Sequence, residues 1–328
     1  MNVLISGAIL LAALILIPLP ALQAADVPTP VLPPAPEGVI IRQNVQYLAP
    51  DRQEKLDLYL PASRPKDARS PAVVMIHGGG WTGGDKAEYR SFNVCTTLAL
   101  AGYVCASINY TLSPSNRWPL DLYDCKNAVR FLRVNADKYG VDADHIGVIG
   151  GSAGGHLALM VAYTSRVPRL EPASPYPLVS DRVQCVVDMY GITDLLTRQK
   201  TDDQGKPSGQ VFPSQALLTR TRDEDPDGWK FASPVYHISK SSPPTLILHG
   251  LADTTVDYEQ AKELDRKLAE HGVEHQLILI DGRRAHVRSA ELAKGAFAPG
   301  SPPNRRRLLQ KAPEMRVRSP ETQNPPVP

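Results

Sequence analysis

The stretch HIGVIGGSAGGHLALMVA (residues 145–162) decides the fold. Its apolar first part predicts a buried strand and its last part a helix. Between them, Gly150-Gly151-Ser152-Ala153-Gly154 has the Gly-x-Ser-x-Gly pattern of a sharp strand-to-helix turn, where larger side chains would collide with adjacent backbone. Such a turn exposes the serine hydroxyl, so Ser152 is a candidate nucleophile.

A second glycine-rich turn lies about seventy residues upstream. HGGGW (residues 77–81) follows the apolar run AVVMI (residues 72–76), which predicts another buried strand. The N–H groups of Gly79 and Gly80, with that of Ala153, would form an oxyanion hole. Either motif alone is a weak signal, because a glycine turn can be only a tight turn and Gly-x-Ser-x-Gly also occurs by chance. Both motifs in order after strands favour catalysis.

Asp253 is the candidate catalytic acid. It follows TLILHG (residues 245–250), a predicted strand, at the edge where the carboxyl ends of parallel strands meet. The alternative is a carboxylate that caps the next helix, a role that fits Asp257 better.

His286 is the candidate base, because the triad order after the serine is acid and then histidine. It lies five residues after the last predicted strand, which ends near Asp281. His271 and His275 stand at the end of a predicted helix and within that last strand, positions unsuited to a mobile base.

From about residue 40 to 282 the chain resembles the α/β-hydrolase carboxylesterases. The motifs place it in the His-Gly-Gly-Gly-Trp branch, which includes hormone-sensitive-lipase-like esterases and bacterial acetyl and feruloyl esterases. The resemblance rests on both glycine motifs, on 188–194 (DMYGITD) and on 249–253 (HGLAD). It implies a Ser152, Asp253 and His286 triad, no cofactor and no metal. It also implies that Trp81 lies near the acyl pocket, although a core position is equally open.

The strand and helix pattern predicts an α/β fold with a mostly parallel, doubly wound sheet and an antiparallel leading strand pair. Segments 165–181 and 198–232 are expected to be loops that shape the substrate pockets. Strands are expected near 40–48, 54–60, 72–77, 103–109, 145–149, 183–188, 244–249 and 274–280, and helices near 87–101, 121–138, 153–164 and 257–271.

The chain departs from the family pattern after the last strand. Relatives carry Gly-x-Gly-His there, whereas this chain has DGRRAH (residues 281–286), and His286 is one place late. Residues 283–328 hold ten Lys or Arg against three Glu, with many prolines, which predicts an atypical, disordered tail. The run 305–307 (RRR) could be a nucleic-acid or membrane patch, but without interleaved aromatic residues a solvated tail is favoured.

The amino terminus predicts export. Residues 3–17 are apolar apart from Ser6, a length that suits a signal peptide better than a membrane span. The expected organisation is a signal peptide over 1–25, a Pro-rich linker over 26–38, the hydrolase domain over 39–282 and the tail. The expected location is secreted or periplasmic, with a retained anchor as the alternative.

Composition excludes a nucleic-acid partner for the catalytic body. The 328-residue chain carries a net charge of +2. The tail contributes 10 − 3 = +7, which leaves about −5 for the rest. The sequence does not indicate an oligomeric state.

The four cysteines are expected to be buried free thiols. Cys95 on a predicted helix and Cys105 on the next predicted strand lie at similar distances from the turn at Gly102 between them. A helix packed about 10 Å above a sheet, however, leaves facing Cα atoms about 8 Å apart, beyond disulfide reach.

Several other polar residues are interpreted as structural. His77 is expected to fix its turn and His156 to pack on the helix. Asp85, Asp124 and Asp194 are expected to hold loops and helix starts.

Three functional hypotheses remain open at this stage. The first is a secreted carboxylesterase acting on acetylated or feruloylated plant polysaccharide. The second is an amide hydrolase such as an arylformamidase or a prolyl-oligopeptidase-like peptidase. The third is a hydrolase-fold protein whose altered carboxyl end has disabled the base.

Overall fold

A computed structural model describes residues 31–65, 67–113, 118–198 and 217–280. Within these residues eight strands form one sheet in the order β1-β2-β4-β3-β5-β6-β7-β8. The strands are β1 Val39–Gln46, β2 Lys55–Pro61, β3 Ser70–Ile76, β4 Val104–Ile108, β5 Val141–Gly151, β6 Val186–Met189, β7 Thr245–Gly250 and β8 His275–Ile280.

Strand direction confirms the predicted sheet. β2 runs antiparallel to both β1 and β4, whereas β3 to β8 are mutually parallel. The connections between the parallel strands pass through helices, as in the βαβ units expected of such sheets. The protein therefore has an α/β-hydrolase architecture with an antiparallel leading strand pair.

Six helices accompany the sheet in the described residues. They are α1 Tyr89–Leu100, α2 Leu120–Val134, α3 Ala136–Tyr139, α4 Ala153–Tyr163, α5 Pro226–Phe231 and α6 Glu259–Glu270. One large apolar cluster contains the inward faces of α2, α4 and α6, and a second contains that of α1. The sheet is thus covered by helices on both faces, which explains why its central strands are almost wholly apolar.

The structure corrects three element predictions. The helix expected over 121–138 is divided into α2 and the short α3, which ends at Gly140 with a φ of 63°. Strand β5 begins at Val141 because that residue pairs with Ser70. The segment expected to be a loop over 198–232 contains α5, where the Asp225 side chain accepts a hydrogen bond from Gly228 N at 3.0 Å.

The sheet brings the predicted site residues to one edge. β3 ends immediately before His77, β5 before Ser152, and β7 three residues before Asp253. Because β3 and β5 are neighbours, the two glycine motifs lie side by side. The carboxyl edge of a parallel sheet is where binding crevices form.

Candidate active site

Ser152 occupies a strained backbone turn. Its φ is 56° and its ψ −123°, a conformation that residues with a Cβ rarely adopt and that costs roughly 1–3 kcal/mol. The Ser152 N–H donates to Met189 O at 3.0 Å, and Ser152 O accepts from His156 N at 3.1 Å at the start of α4. The turn is therefore tied to β6 on one side and to the helix on the other, with the serine only partly exposed.

The glycines around Ser152 are required by close backbone approaches. A Cβ at Gly150 would lie 2.1 Å from Gly154 O, and a Cβ at Gly154 would lie 2.2 Å from Ile76 O. Both distances are shorter than any contact that a real Cβ makes with a backbone oxygen. The first turn of α4 therefore packs directly on the end of β3, as the sequence motif predicts.

Residues 77–81, called the oxyanion loop after their predicted role, pack against residues 150–154, called the nucleophile turn for the same reason. A Cβ at Gly78 would meet Gly151 O at 2.9 Å and Ser152 Cβ at 3.3 Å. Gly79 and Gly80 have φ values of 118° and 62°, which turn the loop back on itself. No side chain larger than glycine fits at Gly78 without moving the nucleophile turn.

The candidate oxyanion donors are free to bind a ligand oxygen. In the described residues, the N–H groups of Gly79, Gly80 and Ala153 find no acceptor. Ala153 is the first residue of α4, so its N–H has no partner within the helix. Such N–H groups beside a nucleophile can stabilise a developing negative charge.

His77 fixes the start of the oxyanion loop, as expected. Its Nδ1 lies 2.7 Å from Gly78 O, and its ring stacks on Tyr110 with centroids 4.4 Å apart. Tyr110 Oη also donates to His77 O at 3.2 Å. Burial lowers the pKa of His77, so it is neutral and structural.

Trp81 is a core residue in this structure. Its side chain is 1% exposed, and its Nε1 donates to His156 Nδ1 at 3.2 Å. Since that ring nitrogen accepts, Nε2 carries the proton and donates to Ala232 O at 2.7 Å. The two rings pack edge to face with centroids 5.3 Å apart. Trp81 thus anchors the oxyanion loop to α4.

Asp253 is held by backbone groups at the end of β7. Its Oδ1 accepts from Thr255 N at 2.8 Å and Val256 N at 3.0 Å. Its Oδ2 lies 3.8 Å from His249 Nε2. His249 is itself fully buried and its Nε2 lies 2.9 Å from Val256 O, so Oδ2 retains capacity for a further donor.

His286 lies outside the described residues, as do residues 281–285. In the described part of the chain no histidine makes a hydrogen bond to the Ser152 hydroxyl. The assignment of the base therefore remains a prediction from the sequence.

The three carboxylates expected to be structural are structural. Asp85 Oδ1 accepts from Ala87 N at 2.7 Å before α1. Asp124 Oδ2 accepts from Thr111 N at 2.9 Å. Asp194 Oδ1 accepts from Leu196 N at 2.8 Å. Each carboxylate fixes a loop or a helix start.

Comparison with known proteins identifies the family. The BD-FAE family model matches residues 56–268, about two thirds of the chain. The chain belongs to the BD-FAE family. The matched range includes Ser152, Asp253 and both glycine motifs, and it ends before His286.

Relatives of this BD-FAE chain include proteins that are named as esterases. It is 31% identical to esterase LipC of Mycobacterium tuberculosis over 74% of this chain and 61% of LipC. It is 33% identical to the probable carboxylic ester hydrolase LipM of the same organism over 67% of this chain and 49% of LipM. The chain thus spans about half to three fifths of the length of these relatives.

A solved structure has the same fold. It is a truncated carbohydrate esterase from gut microbiota, with a TM-score of 0.71 and 26% sequence identity. The match covers 80% of this chain and 97% of that one. The α/β-hydrolase architecture of this BD-FAE chain is therefore shared with an esterase over nearly the whole length of the latter.

Two site neighbours had not been identified from the sequence. Tyr190 has a φ of 46°, and a Cβ on Gly151 would lie 2.7 Å from its Oη, so the BD-FAE nucleophile turn needs glycine there. Arg198 Cζ lies 5.6 Å from the centre of the Trp81 ring. Burial lowers the pKa of Arg198 to about 10, while the negative charge of Asp253 acts in the opposite direction. The oxyanion loop, Arg198 and the candidate acid therefore share one neighbourhood.

The two segments expected to shape pockets do line a cavity. It measures about 230 Å³ and its walls include Trp118, Arg169, Trp229 and Phe231. Trp118 packs on His156 with ring centroids 5.7 Å apart. The cavity wall thus contacts the histidine that holds Trp81.

Residues 31–65, 67–113, 118–198 and 217–280 contain no cluster of three or more His, Cys, Asp or Glu side chains that could hold a metal ion. In the same ranges, no helix has the length and apolar character needed to cross a membrane.

A pH-dependent stability difference is expected from His156. Burial lowers the pKa of His156 to about 4, whereas a solvent-exposed histidine has a pKa of 6.5. Below pH 6.5 the unfolded chain binds a proton that the folded chain does not, so stability contributed by neutral His156 is lost as pH falls from about 6.5 to about 4. The loss is roughly 3 kcal/mol at the lower limit.

The measurement compares urea unfolding of wild type and His156→Gln between pH 4 and 8. Asp121 and Asp188 have pKa values raised to about 7 by burial, which makes stability fall as pH rises over the same window. Both proteins share that effect, so it cancels in the difference. The wild-type advantage should shrink towards pH 4; an advantage independent of pH would show that His156 is not held neutral.

Proposed function

We propose that this protein is a serine carboxylesterase that hydrolyses short-chain acyl esters or acetyl and feruloyl esters of plant polysaccharides through an acyl-enzyme. The observation that carries the proposal is the strained Ser152 turn packed against a glycine loop. A Cβ at Gly78 would lie 2.9 Å from Gly151 O and 3.3 Å from Ser152 Cβ, so only glycine allows this close packing. Among the described residues, the N–H groups of Gly79 and Gly80 have no acceptor. Acyl transfer needs a nucleophile and a site for the oxyanion, and in this proposal Ser152 and the glycine loop supply them.

The proposed mechanism assigns each step to a residue. Ser152 Oγ attacks the ester carbonyl carbon as His286 takes its proton, and the oxyanion accepts hydrogen bonds from Gly79, Gly80 and Ala153 N–H. His286 then returns the proton to the leaving alcohol. Water, activated by the same histidine, hydrolyses the acyl-enzyme.

Asp253 would hold the imidazole and stabilise its positive form. Its Oδ1 accepts from two backbone donors, whereas Oδ2 lies 3.8 Å from His249 Nε2. An acid oriented in this way can accept the Nδ1–H of the base at Oδ2 without losing its own support.

The names of the relatives support an ester substrate. LipC is an esterase, LipM a probable carboxylic ester hydrolase, and the solved structure a carbohydrate esterase. None of these names distinguishes an acetyl from a feruloyl group.

A substrate panel tests the proposal. It compares p-nitrophenyl esters of increasing acyl length, acetylated xylan, methyl ferulate and p-nitroacetanilide, with Ser152→Ala as the blank. We expect Ser152-dependent hydrolysis of at least one ester and a much slower reaction with the anilide. Faster cleavage of the anilide would favour the amide-hydrolase hypothesis, and no turnover by a folded wild type would favour the disabled hydrolase.

Replacing Asp253 by asparagine is expected to lower kcat about 10³- to 10⁴-fold, because an amide in that place favours the wrong tautomer of the base. The Asn oxygen can still accept from Thr255 N and Val256 N, so the thermal unfolding midpoint should change little. Initial rates on the best ester measure the effect.

Asp257→Asn is the matched control. Asp257 Oδ1 accepts from Glu259 N at 3.0 Å at the start of α6, a local capping contact. Turnover of this variant should remain within a few fold of wild type. If Asp257→Asn had the larger effect, the acid would have been assigned to the wrong carboxylate.

We also propose that the protein is exported and loses its amino-terminal segment. The support is the apolar run over residues 3–17, ended by Pro18 and Pro20 and followed by small residues. Mass spectrometry of protein exported from a bacterial host should find an amino terminus near Ala25 or Asp26. An intact Met1 on membrane-bound protein would instead indicate an anchor.

A further inference from the structure

The structure brings two cysteine side chains together in the core. Cys95 lies on α1 and Cys105 on β4, and both are fully buried. Their Sγ atoms are 2.8 Å apart, closer than unbonded sulfur atoms ordinarily approach. Both belong to the apolar cluster between α1 and the sheet. All four cysteines are free thiols in this structure, as expected, but Cys185 is only partly buried where full burial was expected.

The contact results from a tight turn between the two elements. Gly102 has a φ of 93°, and Tyr103 N donates to Leu98 O at 3.1 Å. The chain thus leaves α1 and enters β4 almost at once, with residues 95 and 105 facing each other across the layer. The estimate of about 8 Å between Cα atoms rested on the mean helix-to-sheet distance. That distance does not determine how closely two side chains approach when they point towards each other.

We propose that Cys95 and Cys105 form an intramolecular disulfide when the chain folds in the presence of a disulfide donor. A disulfide bond is about 2.05 Å long, so the sulfurs need to close by only about 0.8 Å. The thiolate of one cysteine attacks the donor disulfide and releases one thiol. The second thiolate attacks the mixed disulfide and releases the other, so the donor gains the two electrons and two protons that the cysteines lose.

The two cysteines are oxidised while the chain folds, before the core around them has closed. Burial raises the pKa of the Cys95 thiol well above its usual range, which disfavours the reactive thiolate once the core has closed. Exchange with a donor therefore precedes the final packing of α1. Once formed, the bond is shielded from reductants by the same burial.

The other cysteines provide internal controls. Cys125 lies in the apolar cluster on the opposite face of the sheet, and Cys185 is half-buried beside the cluster of α1. Four cysteines are present in the whole chain, so each has a defined expectation. Cys95 and Cys105 should be bonded, and Cys125 and Cys185 should be free.

The bond would join α1, the first helix after the oxyanion loop, to a central strand. Its main effect would be on the unfolded chain, since a cross-link between residues 95 and 105 removes conformational freedom there. Oxidised protein should therefore unfold about 5–10 °C above reduced protein, a range that corresponds to an ordinary disulfide in a domain of this size.

The test uses the full chain synthesised without cells, once with oxidised and reduced glutathione plus a disulfide isomerase, and once with dithiothreitol. Each sample is denatured, alkylated and digested with trypsin. Residues 91–117 contain both cysteines and no internal Lys or Arg, so they form one peptide. From oxidised protein this peptide should carry no alkyl group and be two hydrogen atoms lighter. From reduced protein it should be alkylated twice.

Thermal unfolding gives the second measurement. Cys95→Ala and Cys105→Ala each remove core volume and lower the unfolding midpoint in both buffers, so the informative quantity is the difference between buffers. That difference should be present in wild type and in Cys125→Ala and absent from the other two variants. A doubly alkylated peptide 91–117 after oxidising synthesis would overturn the proposal, as would a cross-link from Cys95 or Cys105 to Cys185.

Discussion

Ser152→Ala is expected to lower ester turnover by about 10⁴-fold or more, because both the covalent step and the group that accepts the acyl chain are lost. Residual hydrolysis would come from the oxyanion donors and from binding alone. Alanine retains the Cβ that is strained at a φ of 56°, so the fold and its unfolding midpoint should be nearly unchanged. Initial rates and thermal unfolding measured on the same preparations test both statements.

Ser152→Gly separates catalysis from strain. Glycine adopts the Ser152 conformation without a Cβ clash, so this variant should be as inactive as Ser152→Ala but more stable by roughly 1 kcal/mol or more. Ser241→Ala, at an exposed loop serine, should match wild type in both measurements. Activity of Ser152→Ala within a few fold of wild type would mean that another residue is the nucleophile.

His286→Ala should have an effect of comparable size. Without a base the Ser152 hydroxyl stays protonated, and removal of the base in serine hydrolases costs about as much as removal of the whole triad, on the order of 10⁶-fold. Added imidazole should restore part of the turnover by entering the space that the side chain leaves. The measurement is the ester rate with and without imidazole.

His275→Ala is the control for this variant. His275 is half-buried in β8 with its Nε2 3.4 Å from Asp265 Oδ1, so its loss should leave turnover within a few fold. A chain ending after about residue 290 should show whether the basic tail affects turnover. Equal turnover of His286→Ala and wild type would remove His286 from the triad.

The sheet could be predicted because its central strands are apolar runs that end in glycine or in polar turn residues. Both glycine motifs could also be recognised in the sequence. A Cβ at Gly150 or Gly154 would clash with backbone at 2.1–2.2 Å, so these positions require glycine. Asp253 was selected as the candidate acid by chain order, and that assignment remains a prediction. These features depend on local sequence and on strand order alone.

Other features depend on tertiary contacts or on signals that were overlooked. Helix α5 had a local signal, Asp225 followed by Pro226, which is a typical helix start. Arg198 had none, because its position against Trp81 depends on how a loop folds over the sheet edge. The contact between Cys95 and Cys105 had no sequence signal, because a mean helix-to-sheet distance does not give the positions of individual sulfur atoms.

The central claim is that Ser152 is an activated nucleophile beside an oxyanion hole. The most direct measurement is reaction of the wild-type protein with a p-nitrophenyl alkylphosphonate, followed by mass spectrometry of the digested chain. The account predicts release of one p-nitrophenolate per chain and a single phosphonyl group on Ser152, slowed by a competing ester. No adduct on folded protein, or an adduct on any other residue, would contradict it.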